Sequence, residues 1–291
     1  MKAAPFVYHA PDTLAAVLDL MARLDNARPL AGGQSLMPMM NFRVATPDHL
    51  IDLGRVAGLA GIEVVGDRLR VGAMTTQRML EKSALVREAC PLLAEAIDHV
   101  GHQQTRNRGT LGGSLCHMDP GAELPVAAMA LGAELIVVSA RGTRVLAFAD
   151  FPMGYLTTAL EADEILTRVD LPIAGPREGW AFIEFNRRPA DFAIVSVAVR
   201  LSLDDDGQVE NISITVGGVR PTPLKLAEVE GLLTGQMPDA AIIARAAAVI
   251  AGLDCEGDDL YPPDYRRDLC ETLTRRALTR AVERAKGRGH G

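Results

Sequence analysis

Between residues 193 and 203 every second position is apolar: Ala193, Val195, Val197, Val199, Leu201 and Leu203, with Ser196, Arg200 and Ser202 falling between them. A period of two belongs to a strand, and it sends the two sets of side chains to opposite faces. The pattern predicts a half-buried strand. Asp204-Asp205-Asp206-Gly207 then turns the chain, and Ile212, Ile214 and Val216 alternate with Ser213 and Thr215 in a return strand. Two further hairpins are expected, one with Gly66-Asp67 between strands at 62–65 and 68–71, the other with Arg141-Gly142 between 135–138 and 145–148. Antiparallel pairing therefore dominates.

Helices frame these strands. Asp12 is placed to cap a helix in which Leu14, Val17, Leu18, Met21 and Leu24 share one face, ending near Asn26. A second helix is expected over 92–100, and in the last one Leu269, Leu273, Ala277 and Ala281 line the face that packs on the second sheet. Pro172, Gly175 and Pro176 break the chain most clearly, so a domain boundary is placed there. The fold class is α+β, with no internal repeat. Its length of 291 residues fits one or two domains.

Composition excludes several functions. No apolar run approaches the roughly 18 residues of a membrane span, and the start, Met1-Lys2-Ala3-Ala4-Pro5, lacks the apolar core of a secretory signal. A cytoplasmic location is expected. The net charge of −7 argues against a nucleic-acid surface, and the locally basic stretch 275–288 reads as a solvated helix face. Cys90, Cys116, Cys255 and Cys270 form no C-x-x-C pair, so they are expected to be reduced and structural, with no metal or cluster on this chain.

Two short segments carry the chemistry: Ala31-Gly32-Gly33-Gln34-Ser35 and Gly109-Thr110-Leu111-Gly112-Gly113-Ser114. Glycine lets a backbone approach a diphosphate, successive N–H groups converge on the anion, and hydroxyls add donors at the rim. Arg106 and Arg108, just before the second segment, add positive charge. Neither segment is a G-x-G-x-x-G fingerprint and the chain has no P-loop, so a Rossmann or Walker site is excluded. A Gly-Gly pair alone is more often a tight turn. Cys116, His117 and Asp119 suggest a metal site only weakly, because a strand would part Cys116 from His117. His99 and His102 are read as local structure, and Met37-Pro38-Met39-Met40 as gap-filling core.

The surroundings are more specific. Arg28-Pro29-Leu30-Ala31-Gly32-Gly33-Gln34-Ser35-Leu36-Met37-Pro38, Arg106-Asn107-Arg108 leading into the second segment, and Asp119-Pro120 before Glu123-Leu124-Pro125 resemble one family. So do Ile51-Asp52-Leu53, Arg187-Arg188 with Asp191-Phe192-Ala193, Gly217-Gly218-Val219 with Pro223, and Tyr265-Arg266-Arg267 with Arg275-Arg276-Ala277-Leu278. Together they are similar to the FAD-binding medium subunit of carbon-monoxide dehydrogenase and xanthine-dehydrogenase-type molybdenum hydroxylases. The resemblance runs through essentially the whole chain.

It implies a two-part FAD-binding domain of the vanillyl-alcohol-oxidase type over 1–174, with parts at about 1–56 and 57–174, then a carboxy-terminal antiparallel-sheet-plus-helices domain over 175–291. It implies that Leu30, Ala31, Gly32, Gly33, Gln34, Ser35 and Leu36, with Thr110, Leu111, Gly112, Gly113 and Ser114, grip the pyrophosphate. Glu123 then reaches the sugar or adenine side, Leu166 makes an apolar contact to the flavin, and Phe192 stacks on or shields the ring. Glu123 stands where several relatives carry aspartate, and Phe182-Ile183-Glu184-Phe185 lacks a lysine often found there. The implied function is an oxidoreductase's electron-transfer subunit with FAD, the molybdenum cofactor and [2Fe-2S] clusters residing on a large molybdopterin subunit and a small iron–sulfur subunit, in a dimer of heterotrimers. No catalytic side chain is expected on this chain. The alternatives are a self-contained FAD oxidoreductase and a non-redox scaffold that has lost the cofactor.

Overall fold

The computed structural model describes residues 2–288, without the side chain of Arg288, so Met1, residues 289–291 and the end of the basic stretch lie outside the described residues. The chain opens with β1 (Val7–His9), α1 (Leu14–Arg23), β2 (Ala27–Leu30), α2 (Leu36–Asn41) and β3 (His49–Asp52). These three strands form a parallel sheet in the order β1-β3-β2, an exception to the expected antiparallel pairing. Parallel neighbours need a crossover, and α1 and α2 supply it. The helix α1 is capped by Thr13 rather than Asp12, because Thr13 has the extended backbone of a cap and its Oγ1 accepts from Ala16 N–H at 3.2 Å. It ends at Arg23, not near Asn26.

Next come β4 (Ile62–Val65), β5 (Arg68–Gly72), α3 (Gln77–Lys82), α4 (Ala84–Ala89), α5 (Pro91–His99), α6 (Gln103–Arg106), α7 (Leu111–His117) and α8 (Glu123–Leu131). They are followed by β6 (Glu134–Ser139), β7 (Gly142–Ala147), β8 (Pro152–Gly154), β9 (Thr157–Thr158) and β10 (Ile165–Pro172). Five of these strands make an antiparallel sheet in the order β4-β5-β10-β6-β7. Both expected hairpins are present, but in the second Ser139 pairs with Gly142, so the turn is Ala140-Arg141 and Gly142 begins the return strand. The register slips between Leu166 and Arg168, a bulge in β10 opposite β6.

A further sheet contains β11 (Glu178–Asn186), β12 (Ala193–Leu203), β13 (Val209–Gly217) and β14 (Leu224–Lys225) in sequence order, all antiparallel. The helices α9 (Ala227–Leu233), α10 (Ala240–Ala248) and α11 (Pro263–Arg288) complete the fold. Leu273, Ala277 and Ala281 bury one face of α11 with β12 residues such as Val197 and Val199, as the spacing predicts.

The strand β12 departs from expectation. It is not half-buried: Ser196 and Ala198, on the face opposite Val195 and Val197, are fully buried as well. Ala198, together with Phe182 of β11, belongs to the core built by α5, α7 and α8. The opposite face is therefore covered by the first half of the chain, and only Arg200 and Ser202, toward the strand's end, are partly exposed. A period-two pattern reads polarity, and small residues pack under a helix whatever their polarity. The basic stretch is likewise less solvated than expected, since Arg280 and Arg284 pair with Glu95 of α5 at 3.3 and 2.5 Å, and Arg284 lies over Trp180.

Candidate functional site

The first glycine segment follows β2 and ends at Ser35, which precedes α2 without capping it through its side chain. Among the described residues, the backbone N–H groups of Gly33, Gln34, Ser35 and Leu36 meet no protein acceptor, while Met37 N–H returns to Gly33 O at 3.2 Å. Unpaired donors side by side are what an anion needs. They border a cavity of about 550 Å³ lined by Leu30, Ala31, Gly32, Gly33, Gln34, Met37, Pro38, Asn41, Asp52 and Arg108. Arg108, which lines the cavity, makes no ion pair among the described residues. Asp52 is anchored at the edge, with Oδ1 accepting from Gly54 N–H at 2.8 Å and Oδ2 accepting from the Tyr8 hydroxyl.

The second glycine segment is not a loop. Thr110 caps α7, its Oγ1 accepting from Gly113 N–H at 3.0 Å. Three further N–H groups are engaged: Leu111 donates to Thr75 O, Gly112 to Ala73 O and Ser114 to Thr110 O. The second segment therefore leaves fewer N–H groups without a protein acceptor than the first. Its glycines serve close packing. A Cβ at Gly112 would lie 2.6 Å from Ala73 Cβ, and one at Gly32 would lie 2.0 Å from Arg108 O. The two segments thus stand back to back, and Arg108 reaches the cavity because Gly32 lets its backbone come so near.

Residues 30–34 line the cavity; Ser35 and Leu36 adjoin it, and none of 110–114 does. Thr110, Leu111 and Gly112 are buried. Leu166 lies in the core at 4% exposure, next to the bulge at Thr167, whose carbonyl accepts from Ala73 N–H at 2.9 Å. Glu123 is 3% exposed at the start of α8, and Phe192 is 61% exposed, its Cβ 3.1 Å from where a Gly121 Cβ would stand. Sequence reasoning missed Asn41 and did not place Asp52 in the site, although Ile51-Asp52-Leu53 at a strand end was a usable signal. It also counted Arg106 as free charge. Arg106 is instead a clamp, donating to Glu81 at 3.0 Å and to the carbonyls of Val100 and Gly101.

Other readings change too. Met37 lines the cavity and only Met40 of the methionine run is fully buried. Cys116 and His117 sit on α7, so the strand argument against a metal there does not apply; burial pushes the Cys116 thiol up to about 12 and the His117 imidazole down. No three metal-ligating side chains converge among the described residues. His99 is more than local structure: its Nδ1 is 3.2 Å from Glu184 Oε1 across the junction of the two halves. No helix among the described residues is long and apolar enough to cross a membrane.

Comparison with known proteins gives the same picture from end to end. Residues 4–174 match the FAD binding domain in molybdopterin dehydrogenase, and residues 180–281 the CO dehydrogenase flavoprotein C-terminal domain. The nicotine 6-hydroxylase medium subunit of Paenarthrobacter nicotinovorans is 37% identical over 98% of this chain and 100% of its own length. The carbon monoxide dehydrogenase medium chain of Afipia carboxidovorans is 35% identical over 97% and 98%. Among solved structures, carbon monoxide dehydrogenase from Hydrogenophaga pseudoflava superposes with a TM-score of 0.94 at 34% identity, covering 98% of this chain and 99% of that one. Quinoline 2-oxidoreductase from Pseudomonas putida 86 gives 0.93 at 37% identity, covering 98% and 99%. With both domains matched in order and relatives aligned over nearly their full length, the chain belongs to the family of FAD-binding medium subunits of carbon-monoxide- and xanthine-dehydrogenase-type oxidoreductases.

Proposed function

We propose that this chain is the flavin exit of a heterotrimeric molybdenum hydroxylase. A large molybdopterin subunit oxidises the substrate, a small [2Fe-2S] subunit relays the electrons, and this chain holds the FAD that hands them to an external acceptor. The observation that carries the reading is the cavity lined by residues 30–34 and Arg108, beside a run of N–H groups at 33–36 that meet no protein acceptor. A diphosphate fits that donor set, and Gly32 and Gly33 present no side chain beyond Cα to hold it off.

In this reading residues 30–36 and 110–114 grip the pyrophosphate, and Arg108 adds positive charge beside them. Glu123 reaches the sugar or adenine side, Leu166 makes an apolar contact to the flavin, and Phe192 stacks on or shields the ring. Bound FAD supplies the redox chemistry, and the protein supplies binding, orientation and exclusion of water. No side chain here makes or breaks a substrate bond. The same reading divides the chain into an FAD-binding domain over 1–174 and a carboxy-terminal domain over 175–291. It assembles the trimer into a dimer of heterotrimers, and it keeps the complex in the cytoplasm, in keeping with four free cysteines.

Purification from the native cell tests the proposal. The expected result is a yellow complex in which a large molybdenum subunit and a small iron–sulfur subunit accompany this chain. An isolated chain whose flavin bleaches anaerobically with its own substrate, or one that stays colourless after reconstitution with FAD, refutes it.

A further inference from the structure

The cavity beside the first glycine segment holds a charge that a diphosphate alone does not explain. Asp52 and Arg108 both line it, yet they form no ion pair with each other, and among the described residues Asp52 pairs with no other cation. Its half-buried carboxylate is held by neutral donors only, one to each oxygen: Gly54 N–H donates to Oδ1 at 2.8 Å and the Tyr8 hydroxyl donates to Oδ2. A carboxylate offers about four acceptor positions, so each oxygen keeps one free.

The fold explains why an acid stands here. The strand β2 ends at Leu30 and β3 at Asp52, and these two residues are partners in the parallel register. The cavity therefore lies at the carboxyl ends of neighbouring parallel strands, where the first glycine segment leaves β2. Open parallel sheets bind ligands at that end, and in dinucleotide sites a carboxylate there accepts from ribose hydroxyls. Tyr8 comes from β1, which pairs with the other side of β3. The sheet thus brings the acid, its lock and the glycine segment to one place.

A carboxylate in this cavity weakens the binding of a ligand that is only an anion. It favours a ligand that carries hydroxyl donors beside its phosphates. The rest of the lining agrees. Asn41, at the end of α2, makes no side-chain hydrogen bond among the described residues, and Leu30, Met37 and Pro38 add an apolar wall. Unpaired N–H groups at 33–36, an acceptor pair for hydroxyls and an apolar wall together suit a nucleoside diphosphate.

We infer that Asp52 recognises the adenosine end of FAD, its carboxylate accepting from the two adjacent ribose hydroxyls, and that Tyr8 is the positioning residue that holds it. The inference rests on the proposed placing of the pyrophosphate at residues 30–36. That reading gives Leu166 and Phe192 to the flavin, and neither lines this cavity, so the half of the dinucleotide that lies in it is the adenosine half. A ribose diol presents two O–H donors side by side, one for each oxygen of Asp52.

The test is titration of the flavin-free full chain with FAD and with an FAD analogue whose ribose lacks both hydroxyls, read by flavin fluorescence. The wild type binds the analogue at least about tenfold more weakly than FAD, the scale of a lost hydrogen bond to a charged group. Asp52→Ala binds FAD about tenfold more weakly than wild type and no longer distinguishes the two ligands. Tyr8→Phe keeps the carboxylate and frees it to turn, so its preference for FAD over the analogue falls below that of wild type, which a purely structural role for Tyr8 would not change. An acid that merely stood near the phosphates would repel them, and its removal would tighten binding. A wild type that binds both ligands equally, or an Asp52→Ala chain that binds FAD as tightly as wild type or more so, overturns the inference and leaves the flavin reading intact. The comparison of ligands on the wild type decides this even if a variant fails to fold. A wild-type chain that binds no FAD overturns both.

Discussion

Replacing Gly32 with alanine tests whether the two glycine segments stand back to back. The new Cβ would lie 2.0 Å from Arg108 O, 2.6 Å from Arg108 C and 2.8 Å from Gly109 Cα, all backbone atoms that cannot rotate aside. Moving the closest atom from 2.0 Å to the 3.4 Å where ordinary contact begins requires the segments to part by about 1.4 Å. Overpacking of this kind costs about 1–3 kcal/mol, which for a chain of this size lowers the melting temperature by roughly 2 to 12 °C. The same displacement carries Arg108 away from the cavity, so FAD affinity falls together with stability. Thermal melts and FAD titration read the two effects. Gly231→Ala is the control: its Cβ meets nothing within 4 Å inside α9, and alanine in a helix interior gains about 0.5–1 kcal/mol. A Gly32→Ala chain that melts within a degree of wild type and binds FAD equally well would refute the packing argument.

Arg108→Gln removes the cavity's cation and should weaken FAD binding roughly tenfold or more, with the gap narrowing as salt is raised; equal affinity at low salt would place the phosphates elsewhere. Glu164, with its side chain 4% exposed, accepts from Arg144 at 2.7 and 2.6 Å, and that guanidinium holds its carboxyl below the usual range. A depressed acid contributes stability above its unfolded range and loses it as pH falls through the folded value. The urea midpoint of wild type should therefore exceed that of Glu164→Gln at neutral pH and converge with it in acid, and a gap that stays constant would exclude the pair. Burial pushes the Cys90, Cys116 and Cys270 thiols up to about 12 and raises Cys255. Ellman's reagent at about pH 8 should label the native chain slowly and all four cysteines after denaturation; rapid labelling of the folded chain would contradict this.

Much of this was written in local patterns. The hairpin at Gly66-Asp67, the return strand through Ile212 and Ile214, and the buried stripe of α11 follow from side-chain periodicity, because each is decided by neighbours in the chain. The first glycine segment was legible for the same reason. What the sequence concealed depends on partners far away along the chain. Ser196 and Ala198 read as a solvent face until α8 is laid over them. Gly112 reads as a loop residue until Ala73 is placed 2.6 Å from its missing Cβ. Arg106 and Arg108, two positions apart, look equivalent, yet one is consumed by Glu81 and two carbonyls while the other faces the cavity.

The shared interior beneath β12 has a consequence for how such a protein can change. Phe182 and Ala198 come from the second half of the chain and are completed by side chains of the first. A fragment ending at residue 174 would lose the Phe182 ring from its core, a loss worth about 3–5 kcal/mol where phenylalanine is truncated in other cores, and would leave Glu95 without Arg280 and Arg284. The connection at 173–177 between β10 and β11 is therefore a boundary along the sequence and not in the packing. A recombined gene that kept one half and replaced the other would inherit a mismatched interior, so the two halves are bound to diverge as a pair.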